Sequence, residues 1–95
     1  MSKQKFIVRC DRSGVFYGEI ESRNGREVTM TNVRQIWYWH GAAALPQLAS
    51  EGTSRPTDCK FTVTLDELTV LDCIEYIPCS DQAVKSLDSV KAWRA

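Results

Sequence analysis

The chain has 95 residues, of which 43% are hydrophobic, and its twelve Lys or Arg balance twelve Asp or Glu. A chain this short supports one domain, residues 1–95, burying little more than about 60% of its unfolded surface. Balanced charge argues against a protein that holds duplex nucleic acid mainly by neutralising phosphates, and no run approaches the roughly 18 apolar residues of a membrane helix.

Met1-Ser2-Lys3-Gln4-Lys5 leads into an extended segment rather than an apolar signal region, which predicts a soluble cytoplasmic protein. Cys10, Cys59, Cys73 and Cys79 are then expected as free, mostly buried thiols. No Cys-x-x-Cys occurs and His40 is the sole histidine, so neither a metal site nor a cofactor is expected.

Phe6–Arg9 begins the first strand and Asp11-Arg12-Ser13-Gly14 has the composition of a turn. In the second strand, Val15–Glu21, Phe16, Gly18 and Ile20 share one face; Gly18 permits a bend or the close approach of another backbone. Asn24-Gly25 is a hairpin signal, a third strand runs through Val28 and Met30, and Thr31-Asn32 precedes an aromatic strand that completes a meander. Within Ala42–Gly52 one or two helical turns are expected, with Pro46 in the first turn, Gly52 as the stop and Leu45, Leu48 and Ala49 inward. Cys59–Leu65 alternates as a strand, and Leu68–Ile77 is an extended run, bulged at Val70-Leu71 and stopped by Pro78.

Ser80 has the character of an N-cap and Asp81 suits the positive end of the helix dipole. The helix that follows carries Ala83, Val84, Leu87 and Val90 on one stripe. A short terminal helix is marginal alone, so its stripe is expected to dock on the sheet or join a homo-oligomer interface, and Trp93 to be anchored in its own core or against another subunit; Val84, Leu87, Val90 and Trp93 are the interface candidates. The fold class expected is α+β: a bent antiparallel sheet of about five strands, a short middle helix and a C-terminal helix.

The richest stretch is Arg34-Gln35-Ile36-Trp37-Tyr38-Trp39-His40. Strand alternation puts Arg34, Ile36, Tyr38 and His40 on one face and Trp37 and Trp39 on the other, so both faces are aromatic. A half-buried strand needs only one such face for its core, and the second is a candidate platform. Arg23, Arg55 and Lys60 are loop or edge cations able to converge on it. Aromatic rings stack on bases and guanidinium forks grip phosphates, so Arg34, Trp37, Tyr38, Trp39, His40, Arg23, Arg55 and Lys60 are the expected ligand residues for a small nucleotide-like molecule. Catalysis is not expected: there is no Gly-x-Ser-x-Gly or phosphate loop, and the carboxylates form no distinctive motif.

Ser13-Gly14-Val15-Phe16-Tyr17-Gly18-Glu19-Ile20, followed by Val28-Thr29-Met30-Thr31-Asn32-Val33, resembles the opening half of an Sm-like or SH3-like bent sheet. That resemblance implies a curved sheet, ring formation and RNA binding, although the second Sm motif has no counterpart.

Across nearly the whole chain, Ile36-Trp37-Tyr38-Trp39-x-Gly41-Ala42-Ala43, Leu48-Ala49-x-x-Gly52, Pro56-x-x-Cys59-Lys60-Phe61, Ile74-Glu75-x-Ile77-Pro78-Cys79 and Val90-Lys91-Ala92-Trp93 resemble small proteins of tailed bacteriophages and prophages. This implies an accessory protein of the infected bacterial cytoplasm and assigns no residue a role. By analogy of size, origin and composition, the leading expectation is a non-catalytic sponge that sequesters a nucleotide immune signal, a cyclic ADP-ribose isomer as in Thoeris defence or a cyclic oligonucleotide. The alternatives are a structural or host-protein-binding phage component and, third, an Sm-like RNA binder.

Overall fold

The computed structural model describes residues 3–94. Three strands, β1 (Lys5–Cys10), β2 (Val15–Asn24) and β3 (Glu27–Tyr38), form an antiparallel meander. The outer edge of β3 is shared by β5 (Leu65–Val70) on its first half and β4 (Lys60–Phe61) on its second. β6 (Cys73–Pro78) pairs with the free side of β1, giving six strands in the order β4-β3-β2-β1-β6, with β5 beside β3. Helices α1 (Leu45–Glu51) and α2 (Asp81–Asp88) complete an α+β fold.

Only Leu71 and Asp72 separate β5 from β6, yet these strands pair with opposite margins of the meander. The sheet must therefore curl until its margins meet. Inside the curl Val8, Cys10, Phe16, Val28, Met30, Val33, Val70 and Cys73 form one buried cluster. The Asp72 carboxylate holds the junction by accepting from Arg12 N (2.6 Å), Ser13 N (2.9 Å) and Ser13 Oγ (2.5 Å), and these bonds hold its carboxyl down at about 2.

Gly18 makes the curl sterically feasible. A Cβ there would lie 2.8 Å from Val33 Cα and 3.0 Å from Asn32 O, both backbone atoms, so the expected close approach is real. It occurs where the β2–β3 register slips by one residue and Asn32 takes a positive φ of 47°. Such a bulge strengthens local twist and shifts the side-chain alternation. The expected break at Thr31-Asn32 is thus a bulge within one long strand, because β2 pairs on both sides of it and β5 pairs past it without a shift.

The opposite face carries Ile7, Tyr17, Ile36 and Phe61, covered by Leu45, Leu48 and Ala49 of α1 and by Ala83 and Leu87 of α2. Pro46 sits in the first turn of α1, where its missing N–H is not needed, and Gly52 N closes the helix on Leu48 O at 2.9 Å. Ser80 caps α2 as expected, its Oγ accepting from Ala83 N at 3.0 Å. Full burial of a leucine such as Leu48 is worth about 1.5–3 kcal/mol, so these contacts, more than intrinsic propensity, hold two very short helices in place.

Four expectations change. The hairpin turn is Gly25-Arg26, one residue later than Asn24-Gly25, since Asn24 still pairs with Glu27. The strand expected over 59–65 shrinks to Lys60–Phe61, leaving Val63 and Leu65 exposed. The run 68–77 is split at Leu71-Asp72 rather than bulged. Leu87 (0% exposed) and Val90 (4%) lie in the chain's own core, so of the four expected interface residues only Val84, half-buried, and Trp93 retain accessible surface. All four cysteines are free and buried.

Candidate functional site

The last residues of β3 are anchored from below. Ile36 pairs with Phe61 of β4, both are buried, and across a bulge at Trp37 the next pair is Tyr38 with Lys60, so the expected alternation breaks: Trp37 and Tyr38 are both exposed and Trp39 packs with Ile36. The C-terminal segment then joins the same margin: Ala92 bridges Phe61 in parallel, and Trp93 N donates to Phe61 O at 2.8 Å. Three backbones thus lie side by side, and their outward side chains are Trp37, Lys60 and Trp93.

The two indoles meet. Their ring centroids are 5.9 Å apart and the planes are 16° from parallel, an offset stack between residues 60% and 46% exposed. The Lys60 ammonium lies 5.3 Å from the Trp93 ring centroid, a cation–π contact. Tyr38 is exposed beside them, and Lys91 and Arg94 flank Trp93. A cleft of about 380 Å³ is lined by Pro56, Thr57, Cys59, Ser89 and Lys91, none of them a member of the stack. The arrangement offers flat π surface with positive charge at its edge.

Of the expected ligand residues, the fold brings Trp37, Tyr38 and Lys60 together. Arg34 is excluded: it is 8% exposed, its Nε donates to Thr62 O at 3.0 Å, and its guanidinium sits 5.1 Å from the Phe61 ring centroid. Burial lowers the Arg34 pKa. Arg23 is excluded by distance, since it pairs with Val28, nine residues before Trp37 and thus roughly 30 Å away along β3, and it covers Tyr76 instead. Arg55 is held by Asp58 at 2.7 Å. Trp39 packs half-buried against the helix-covered core. The His40 side chain is exposed, while its carbonyl accepts from Thr53 Oγ1, fixing the 40–55 loop.

Gly41 is what lets that loop return. With φ at 87°, a Cβ there would lie 2.6 Å from Thr53 Oγ1 and 2.7 Å from Arg55 N, so the crossing of residues 41 and 53–55 has no space for a side chain. Trp93 is the site residue that sequence reasoning marked only as a core or interface anchor. Its need for an anchor was legible, but the anchor is Trp37 of the same chain.

A family model described as a domain of unknown function (DUF6948) matches residues 3–87. The chain belongs to that family. No curated protein and no solved structure matches it. The segment matched to DUF6948 contains Trp37, Tyr38 and Lys60 and stops before Trp93, so the stack joins a residue inside the matched domain to one beyond it. Among the described residues, no group of three or more His, Cys, Asp or Glu is placed to hold a metal ion, and no helix is long and apolar enough to cross a membrane.

Proposed function

We propose that this DUF6948 protein is a non-catalytic binder of a small nucleotide-like ligand, held at Trp37, Trp93 and Lys60. The observation that carries the reading is the half-exposed, near-parallel indole pair with an ammonium over one ring. A base stacks on an outer indole face, a phosphate pairs with Lys60, and Lys91 and Arg94 add positive charge nearby.

Magnitudes then bear on assembly. A base–aromatic stack contributes about 1–3 kcal/mol and a charge-assisted bond about 1.5–3 kcal/mol, a sum below the roughly 8 kcal/mol of micromolar binding. Tight capture therefore needs further contacts, which in this reading a second copy covering the platform supplies. In this reading the protein is a homo-oligomer. The phage resemblance adds the setting: removal of a cyclic nucleotide immune signal from the infected bacterial cytoplasm.

Native mass spectrometry of protein purified from infected cells tests this reading. A mass corresponding to an oligomer carrying a retained nucleotide, recovered unaltered after denaturation, supports it. Recovery of a chemically altered nucleotide identifies an enzyme instead. A second reading, docking of a host or phage protein, is favoured by the exposed Val63 and Leu65 farther along the same margin of β3. In that case Trp37→Ala abolishes partner association and has no small-molecule effect.

A further inference from the structure

We propose that Cys10 and Cys73 are a redox-active pair that closes to a cross-strand disulfide stapling β6 to β1. The two residues are register partners at a bulge, with Ile74 as the extra residue between the Arg9–Glu75 and Cys10–Cys73 pairs. Neither backbone N–H crosses the pair: Cys10 N donates to Gly14 O at 2.9 Å and Cys73 N to Arg26 O at 3.0 Å. The adjacent bond runs from Asp11 N to Asp72 O at 2.9 Å. This is the pattern of a non-hydrogen-bonded antiparallel pair, whose Cα atoms lie about 4.5 Å apart, within the roughly 4.4–6.8 Å that a disulfide spans. Both side chains belong to the cluster inside the curl, so both thiols lie on the same side of the sheet.

The Cys73 thiol donates to Glu75 O at 3.6 Å, a bond that closure must break; the other two cysteines lie in the other buried cluster. The Cys59 thiol is hydrogen-bonded within its own loop to His40 O and Arg55 O, and Cys79 packs in the cluster under the helices. They serve as internal controls.

The oxidant is hydrogen peroxide. One thiolate attacks a peroxide oxygen; the O–O bond breaks, and the leaving hydroxide takes a proton to become water, giving a sulfenic acid. The second thiolate attacks that sulfur, the S–O bond breaks, and hydroxide again leaves as water. Two sulfurs lose one electron each and two peroxide oxygens gain one each. Burial, with the nearby Asp72 carboxylate, pushes the Cys10 thiol up to about 12, and burial also raises Cys73. The thiolates are scarce, so closure is slow and follows sustained oxidation. Because β6 pairs with the sheet through β1 alone, the staple secures an edge strand.

The test is hydrogen peroxide treatment of the folded full chain, alkylation of remaining thiols under denaturing conditions, and non-reducing peptide mapping. The expected result is one intramolecular Cys10–Cys73 crosslink with Cys59 and Cys79 alkylated, and a melting temperature several degrees higher that dithiothreitol restores. Cys59→Ala and Cys79→Ala retain the crosslink and Cys73→Ser loses it. Mixed or intermolecular pairing, sulfinic acid at Cys10 or Cys73 without a crosslink, or a crosslink obtained only from denatured chain overturns the proposal.

Discussion

Tyr17 donates its hydroxyl hydrogen bond to Asp88 Oδ1 at 2.8 Å, tying the start of β2 to the end of α2 across 71 positions of sequence. Lys5 reaches the same carboxylate at 3.0 Å and lies over the Tyr17 ring, so a buried phenol, an ammonium and a carboxylate form one latch at the end of α2. Tyr17→Phe removes one bond and leaves the Lys5–Asp88 pair. It should lower stability by about 0.5–1.5 kcal/mol, read as a shift in urea midpoint at unchanged slope.

Gly18→Ala should cost more. The added methyl meets the backbone of β3 at Val33 and Asn32, which cannot swing away as a side-chain tip can. A loss of roughly 1–3 kcal/mol is expected in thermal or urea unfolding, the scale of overpacking a fitted core. Gly25→Ala, with open space around its Cβ, isolates the separate cost of a positive φ.

Parts of this fold were legible because their signals are local. Ser80 followed by an apolar stripe, and Pro46 and Gly52 bracketing Leu45–Glu51, each specify a helix within a few residues. Asn32 was misread because a polar residue tolerant of positive φ suits a turn and a bulge equally well, and only continuous pairing with β5 decides between them. The grouping of side chains at the end of β3 was half legible. Trp37, Tyr38 and Lys60 were found from composition, whereas Arg34 looked like a ligand until Phe61 arrived from β4 to cover it. Trp93 reaches Trp37 only through the Phe61 backbone, a relationship with no sequence spacing behind it.

Alkali should unfold the protein through its buried thiols. Burial, with the Asp88 carboxylate, pushes Cys79 up to about 11, and Cys10 lies at about 12, against 9.0 for an ordinary thiol. With folded values raised, this contribution is complete below about 9 and lost as pH rises from there through 11–12. Asp72 works in the opposite sense: its lowered carboxyl contributes fully above the ordinary 3.8, and that part is lost as pH falls through about 2. Urea midpoints between pH 7 and 11 should fall on the alkaline side for the native chain and fall less for Cys79→Ala.

Trp93→Ala should leave the fold intact, since the indole is nearly half exposed. Loss of the stack should cost about 0.5–1.5 kcal/mol beyond area burial, with Trp37 emission shifting towards that of a solvated indole. In the oligomeric reading the same change lowers the sedimentation mass. An unchanged mass alongside the emission shift would confine Trp93 to its intrachain role.

Isothermal titration calorimetry of the full chain against cyclic ADP-ribose isomers and cyclic di- and trinucleotides tests the binding claim most directly, with Trp37→Ala and Lys60→Ala measured in parallel. At least one nucleotide should bind, and each substitution should weaken binding by roughly 1–3 kcal/mol while the far-ultraviolet circular dichroism stays unchanged. Silence across the whole panel, or affinity indifferent to Trp37→Ala, would contradict a stacking site at the end of β3.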